Sequence, residues 1–192
     1  LHELDIYNNQ FAQPFIFALQ WCRWKNIKTI IDDVGAFSGY SLGELSALIC
    51  STETDLATGL ALTRERARLM SGAVSEYGGL VSVQGLNIAQ LNELLALTGT
   101  ELSIKLNDSS CIVGGLSSDL EQLTHQAKLA GAQVKALSVS IPSHTSLMNS
   151  AVEPYRVFLN QQSFNTPSAP IISGTGGVKL YSQSQAVEML IH

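Results

Sequence analysis

Apolar positions recur every three or four residues in some stretches of this chain and alternate in others; the switches between the two patterns divide it into elements. "FAQPFIFALQWCRW" carries Phe15, Leu19, Cys22 and neighbouring tryptophans at helical spacing. This predicts a buried or half-buried helix over Ile16–Trp24, with Pro14 suited to a first turn. "IKTIIDDVGAFSG" holds short apolar runs, and Val34–Phe37 reads as a strand entering a turn at Gly39. Leu42–Cys50 reads as a helix. "STETDLATGLALTRERARLMSGAV" starts on Ser, Thr and Asp and continues with helical periodicity through Leu56, Leu60, Leu62, Ala67 and Met70.

Near Gly78 the texture changes. "GLVSVQGL" reads as a strand, and "NIAQLNELLALTG" as a helix capped by Asn87 and ending near Gly99. "ELSIKLND" and "SCIVGGL" read as two strands about a turn at Asn107–Ser110. "SSDLEQLTHQAKLAGA" reads as a capped helix ending at Gly131, and "QVKALSVS" as a strand. The order βαββαβ is that of a ferredoxin-like unit. It predicts an insert over Tyr77–Ser140 in an α/β core made of residues 1–76 and 141–192. Beyond it, "IPSHTSLMNSAVEPYRVFLNQ" reads as a loop opening into a helix, "SAPIISGTGG" as a short strand and turn, and Gln183–Ile191 as a helix.

Composition narrows the function classes. The 192 residues are 45% apolar and 14% charged, with a formal net charge of −5. No basic stripe is visible, which argues against nucleic acid, whose binding rests on neutralising phosphates. Cys22, Cys50 and Cys111 are odd in number, widely spaced and without a CxxC pair. Neither a disulfide framework nor a metal site is indicated, and a reducing cytoplasm fits best. No apolar run reaches membrane-spanning length, and "LHELDIYNNQ" does not resemble a signal peptide.

The candidate chemistry centres on "GAFSGYSLGELSALIC", Gly35–Cys50. Ser41 stands in a Gly-x-Ser-x-Gly pentapeptide between an apolar approach and a helix. Glycines on both sides permit a sharp turn that exposes a serine hydroxyl, and the N–H of Leu42 is placed to donate to an oxyanion. The plainer reading is that Ser41 only caps the helix. A nucleophile needs a base. His2 and His192 are at the chain ends, His125 lies on a polar helix face, and His144 stands in a loop between strand and helix. His144 is therefore the candidate base, with no evident acidic orienter and a backbone carbonyl expected to hold its tautomer. Arg64, Arg66 and Arg68 alternate and cannot share one helix face. Two are expected in solvent, and one packed inward would recognise a carboxylate.

Three ordered segments, "GYSLGELSAL", "RERARLMSGAV" and "VSIPSHTSLM", together resemble the acyltransferases that include malonyl-CoA:acyl carrier protein transacylases and the acyltransferase domains of polyketide and fatty acid synthases. "LNDSSCIVGG" and "FAQPFIFALQ" are similar to further family segments, and the family carries a ferredoxin-like subdomain where the insert is expected. The resemblance implies a hydrolase-like core with a parallel sheet and an active site in the cleft between core and insert. It implies Ser41 as acyl-accepting nucleophile, His144 as base and Arg66 as partner of the malonyl carboxylate. Leu42, Tyr40 and Ser143 complete the expected substrate-binding set. Malonyl-CoA would be a substrate, with no tightly bound cofactor, and the acceptor would be the phosphopantetheine thiol of an acyl carrier protein. Fatty acid and polyketide synthesis are the implied settings.

Three departures qualify this. Tyr40 replaces the family's usual histidine and, with "GEL", resembles the transacylase subunit of biotin-independent malonate decarboxylase, whose acceptor is a carrier subunit. The family's N-terminal Gly-Gln-Gly strand and its C-terminal histidine-orienting loop find no counterpart, as in a fragment. Two alternatives therefore stay open. One is a serine esterase or thioesterase of the α/β-hydrolase class, though Asp108 and Asp119 are poorly placed for its triad. The other is a non-catalytic domain with a degenerate site.

Overall fold

Two separate sheets organise the chain in a computed structural model that describes residues 6–174 and 176–191. Contacts divide it into two units: residues up to Asn9 with Met70–Ala151, and Gln10–Leu69 with Val152 onward.

The second of these holds the serine. Its helices are α1 (Asn9–Ile27, joined at Asn9 to the other unit), α2 (Leu42–Ser51), α3 (Leu56–Gly72, whose last residues pass into the other unit), α6 (Asn149–Asn160, which enters from it) and α7 (Gln183–Ile191). Its strands are short: β1 (Phe37–Ser38), β6 (Ile171–Ile172) and β7 (Lys179–Leu180). β1 pairs parallel with β6, and β6 pairs antiparallel with β7, so this sheet is mixed rather than wholly parallel. One core cluster joins Phe37, Leu48, Ile171 and Ala186; another joins Phe17, Leu45, Leu62 and Tyr155.

α1 corrects two expectations. Pro14 lies inside the helix rather than in its first turn. The buried face runs through Gln13 and Phe17, while Phe15, Leu19 and Cys22 are exposed. The apolar residues of α1 are spread round the helix rather than gathered on one side, so tertiary packing selects the buried face. The selection here follows Gly59 of α3: a Cβ there would lie 2.1 Å from the Phe17 ring. Only glycine lets Phe17 settle against α3, which fixes the rotation of α1.

The other unit is an antiparallel sheet in the order β3-β4-β2-β5. Its strands are β2 (Gly78–Gln84), β3 (Glu101–Lys105), β4 (Ser110–Leu116) and β5 (Gln133–Ala136). α4 (Ile88–Thr98) begins on a capping box between Asn87 and Gln90 and ends at left-handed Gly99, the stop that the sequence announces. α5 (Ser117–Leu129) is preceded by Leu116 and has no side-chain cap, contrary to the expectation from its serines. Val81, Val113, Leu91 and Leu123 form the core of this unit. The unit is wider than Tyr77–Ser140 because the following loop packs on the sheet: a Cβ at Gly114 would meet Thr145 at 2.6 Å, and one at Gly78 would meet Pro142 at 3.0 Å. Among the described residues, no helix is long and apolar enough to cross a membrane.

Candidate active site

Ser41 sits on a strained turn. Its φ of 54° and ψ of −112° lie where L-residues rarely go, and β1 ends three residues before it while α2 begins one residue after it. Such backbone costs of order 1–3 kcal/mol and persists where its surroundings over-determine it. Gly39 is one reason it persists here. A Cβ on Gly39 would lie 2.1 Å from the carbonyl carbon and oxygen of Gly43, so the strand end and the helix start can approach only without it. Gly43 is different: a Cβ there meets nothing within 4 Å. The expected requirement for glycine on both sides thus falls on Gly39 alone.

Ser41 occupies the N-cap position, yet its side chain makes no capping bond. The turn is closed by backbone instead, with Gly43 N–H donating to the Tyr40 carbonyl at 2.8 Å and Glu44 N–H to the Ser41 carbonyl at 3.0 Å. The Ser41 hydroxyl is left to another partner: Arg66 Nη2 donates to Ser41 Oγ at 3.1 Å. Arg66 Nη1 donates to Gln13 Oε1 at 2.6 Å. Thus Phe17, seated against Gly59, places Gln13 one helical turn away within reach of the arginine. Arg64 and Arg68 are exposed, and Arg68 pairs with Glu65. Burial lowers the Arg66 pKa from its ordinary value, opposed by the Tyr155 phenol and the Glu44 carboxyl.

Glu44 is buried in the first turn of α2 and accepts the Gly174 N–H at 2.9 Å, tying the segment after β6 to the turn. Burial raises its pKa; the Gly174 bond and the Arg66 charge pull it back. Tyr40 is exposed, and its pKa is raised by partial burial and then by Glu44. The Leu42 N–H, at the first position of α2, has no intrahelical acceptor and is available to a developing oxyanion. An open groove of about 570 Å³ runs past Tyr40, Ser41 and Leu42 with Gln20, Trp24 and Phe37 on its walls.

His144 and Ser143 belong to the antiparallel-sheet unit. His144 is exposed and also has positive φ, 59°. Its loop is gripped on both sides. Ser103 Oγ donates to the Ser143 carbonyl at 2.8 Å, and the Ser146 N–H donates to Glu101 Oε2 at 2.8 Å. Thr145 is buried, with its hydroxyl donating to the Pro142 carbonyl at 2.6 Å. His125 is exposed on α5, Asp108 is exposed and paired with Lys105, and His2 and His192 lie outside the described residues.

Sequence reasoning did not single out Gln13, Glu44 or Tyr155. A polar residue one turn before Phe17 was the available signal for Gln13. Glu44 stands three residues after Ser41, a spacing that reads as a capping box, and the structure uses it on Gly174 instead.

No protein-family model matches the chain. Curated relatives do. A malonyl CoA-acyl carrier protein transacylase of Bacillus subtilis is 32% identical over 147 residues, covering 73% of this chain and 37% of the relative. A polyketide biosynthesis malonyl CoA-acyl carrier protein transacylase of Bacillus subtilis strain 168 is 29% identical over 177 residues, covering 88% and 60%. Among solved structures, a malonyl-transacylase in complex with its type II polyketide acyl carrier protein has a TM-score of 0.88 at 24% identity, covering 98% of this chain and 63% of that one. The mixed α/β fold is theirs, and the chain spans between 37% and 60% of the length of the two curated relatives.

Proposed function

We propose that this chain, a homologue of the malonyl-CoA:acyl carrier protein transacylases, moves a malonyl group from malonyl-CoA to a carrier-protein thiol through an ester on Ser41. The observation that carries the proposal is the Ser41 turn: strained backbone, a hydroxyl not spent on capping the helix, and Arg66 within hydrogen-bond distance of it. The malonate decarboxylase variant draws no support from the relatives described.

In the first half-reaction Ser41 Oγ attacks the thioester carbonyl while His144 takes its proton. The Leu42 N–H stabilises the oxyanion, the carbon–sulfur bond breaks, and CoA leaves as the thiol with the proton from His144. In the second, the phosphopantetheine thiol of an acyl carrier protein attacks the serine ester. His144 receives the thiol proton and returns it to Ser41. Arg66 pairs with the free carboxylate of the malonyl group, with Tyr40 and Ser143 in the substrate-binding set. An acyl group lacking the carboxylate leaves a desolvated guanidinium without its counter-charge, which gives a preference for dicarboxylic donors. In fold terms, the antiparallel-sheet unit is a ferredoxin-like βαββαβ subdomain, supported by its strand order, and the unit with parallel β1 and β6 is the hydrolase-like core.

Intact-protein mass spectrometry after brief exposure to malonyl-CoA tests the reading. The expected result is a malonyl-sized adduct that is absent in Ser41→Ala and discharged by a carrier thiol. Rapid discharge to water instead would favour the esterase reading. Arg66→Ala should impair malonyl transfer and spare acetyl transfer, and equal losses would remove the carboxylate role.

A further inference from the structure

Three residues that meet around the serine each stand four residues from a fully buried apolar residue. Gln13 precedes Phe17 on α1 and Arg66 follows Leu62 on α3, while Ser41 stands at the N-cap of α2, four residues before Leu45. Residues four apart share a helix face. The cluster containing Phe17, Leu45 and Leu62 thus lies on the same helix faces as Gln13 and Arg66, and Arg66 in turn reaches Ser41. Tyr155 of α6 belongs to that cluster and is only 4% exposed.

Its hydroxyl is the exception in this layer. It is buried and has no hydrogen-bond partner among the described residues. An unpaired hydroxyl in an apolar core costs free energy that a phenylalanine there would not. Arg66 offers only donors, and its two terminal nitrogens already serve Gln13 and Ser41. What the Tyr155 O–H lacks is an acceptor. Tyr155 packs in the same buried cluster as Leu62, which stands one turn from Arg66 on α3; burial raises the phenol pKa, the Arg66 charge lowers it against that burial, and the Glu65 charge raises it. An anion drawn to Arg66 enters the same neighbourhood.

We propose that Tyr155 is a specificity-determining residue of this site, whose phenol O–H donates to the free carboxylate of the acyl group that Arg66 holds. The assignment rests on the transferase reading above. A carboxylate has about four lone-pair positions, and a guanidinium fork fills two. A third donor from this cluster both satisfies the anion and relieves the unpaired hydroxyl. Burial pushes the phenol well above its ordinary pKa, so it stays a donor across the working range.

The test is Tyr155→Phe in the complete gene product, which removes one oxygen and keeps the ring that packs in the cluster. Acyl-serine formation would be followed from malonyl-CoA and from acetyl-CoA, with the thermal midpoint measured alongside. The expected result is a loss of roughly tenfold to a hundredfold in kcat/KM for malonyl-CoA, the range for a hydrogen bond to a charged group. Acetyl-CoA should be unaffected, and the midpoint unchanged or higher. An unaltered malonyl-to-acetyl preference in a variant whose wild type is malonylated overturns the assignment of Tyr155 alone. Equal losses for both donors with a lower midpoint also overturn it, in favour of a packing role. A wild type that never acquires malonyl on Ser41 brings down the transferase reading, and this inference with it.

Discussion

The turns that carry Ser41 and His144 share an unusual backbone, φ 54° and φ 59°, and are held by opposite means. The serine turn rests on something missing: without a Cβ at Gly39, the chain passes against the Gly43 carbonyl. The histidine turn rests on something present, the side chains of Ser103, Glu101 and Thr145 that fasten its loop. Glu53 shows that positive φ alone is no sign of function. It follows the end of α2, and Thr54 N–H returns to the Ile49 carbonyl there, an ordinary helix stop. What separates Ser41 and His144 from Glu53 is that their positive-φ backbone carries the hydroxyl and the imidazole of the proposed reaction. A turn built on absence breaks when an atom is added, and one built on side-chain bonds breaks when they are removed.

The largest expected effect comes from the histidine itself. His144→Ala should slow acylation of Ser41 by about 10²–10⁴-fold, the range for a lost general base, read as the rate of CoA release. Full activity would remove His144 from the mechanism. Next is the serine turn. Gly39→Ala drives a Cβ into backbone and should destabilise by about 3 kcal/mol or more in urea unfolding. Gly43→Ala, inside α2 with open space around it, should be neutral or stabilising by up to about 1 kcal/mol. Similar behaviour of the two variants would erase the proposed asymmetry.

A smaller change is expected at the histidine loop. Glu101→Ala removes the acceptor of the Ser146 N–H and should cost about 1 kcal/mol, with a few-fold slower acylation as the loop loosens. Stability lost without any change in rate would show that the grip does not position His144. The smallest effect concerns pH. The folded state holds the Glu44 carboxyl above its ordinary value, chiefly by burial. Its contribution to stability is therefore full below the ordinary carboxylate range and lost as pH rises through the raised value. Glu44→Gln keeps an oxygen for the Gly174 N–H and removes the titration. The wild type should lose stability relative to this variant as pH rises through that interval, measured as paired thermal midpoints; parallel curves would count against the raised value.

Local signals were legible wherever the cause was local. The capping box at Asn87 and Gln90 and the left-handed stop at Gly99 follow from residues within a few positions of each other. The apolar runs of β2 and β4 and the helical run of α3 were readable for the same reason. Ser41, Arg66 and His144 were found as candidates because their flanking segments carry a recognisable order. Their partners were not found. Gln13 lies 53 residues from Arg66 in sequence and Glu44 lies 130 from Gly174, so no local pattern joins them.

The sequence by itself carried most of the elements and their order, though not β7, since capping, turn and periodicity energies act over a few residues. Tertiary structure alone decided which face of α1 is buried, because its apolar residues are spread round the helix and the missing Cβ at Gly59 leaves room for the Phe17 ring. It alone brought Arg66, which the resemblance points to, onto the serine hydroxyl, and decided that Gly39, not Gly43, is sterically required. It alone left the Tyr155 hydroxyl buried without a hydrogen-bond partner among the described residues. Each of these depends on close approach between segments far apart in the chain, where a single Cβ or a single hydrogen bond selects among arrangements that local preference leaves equal.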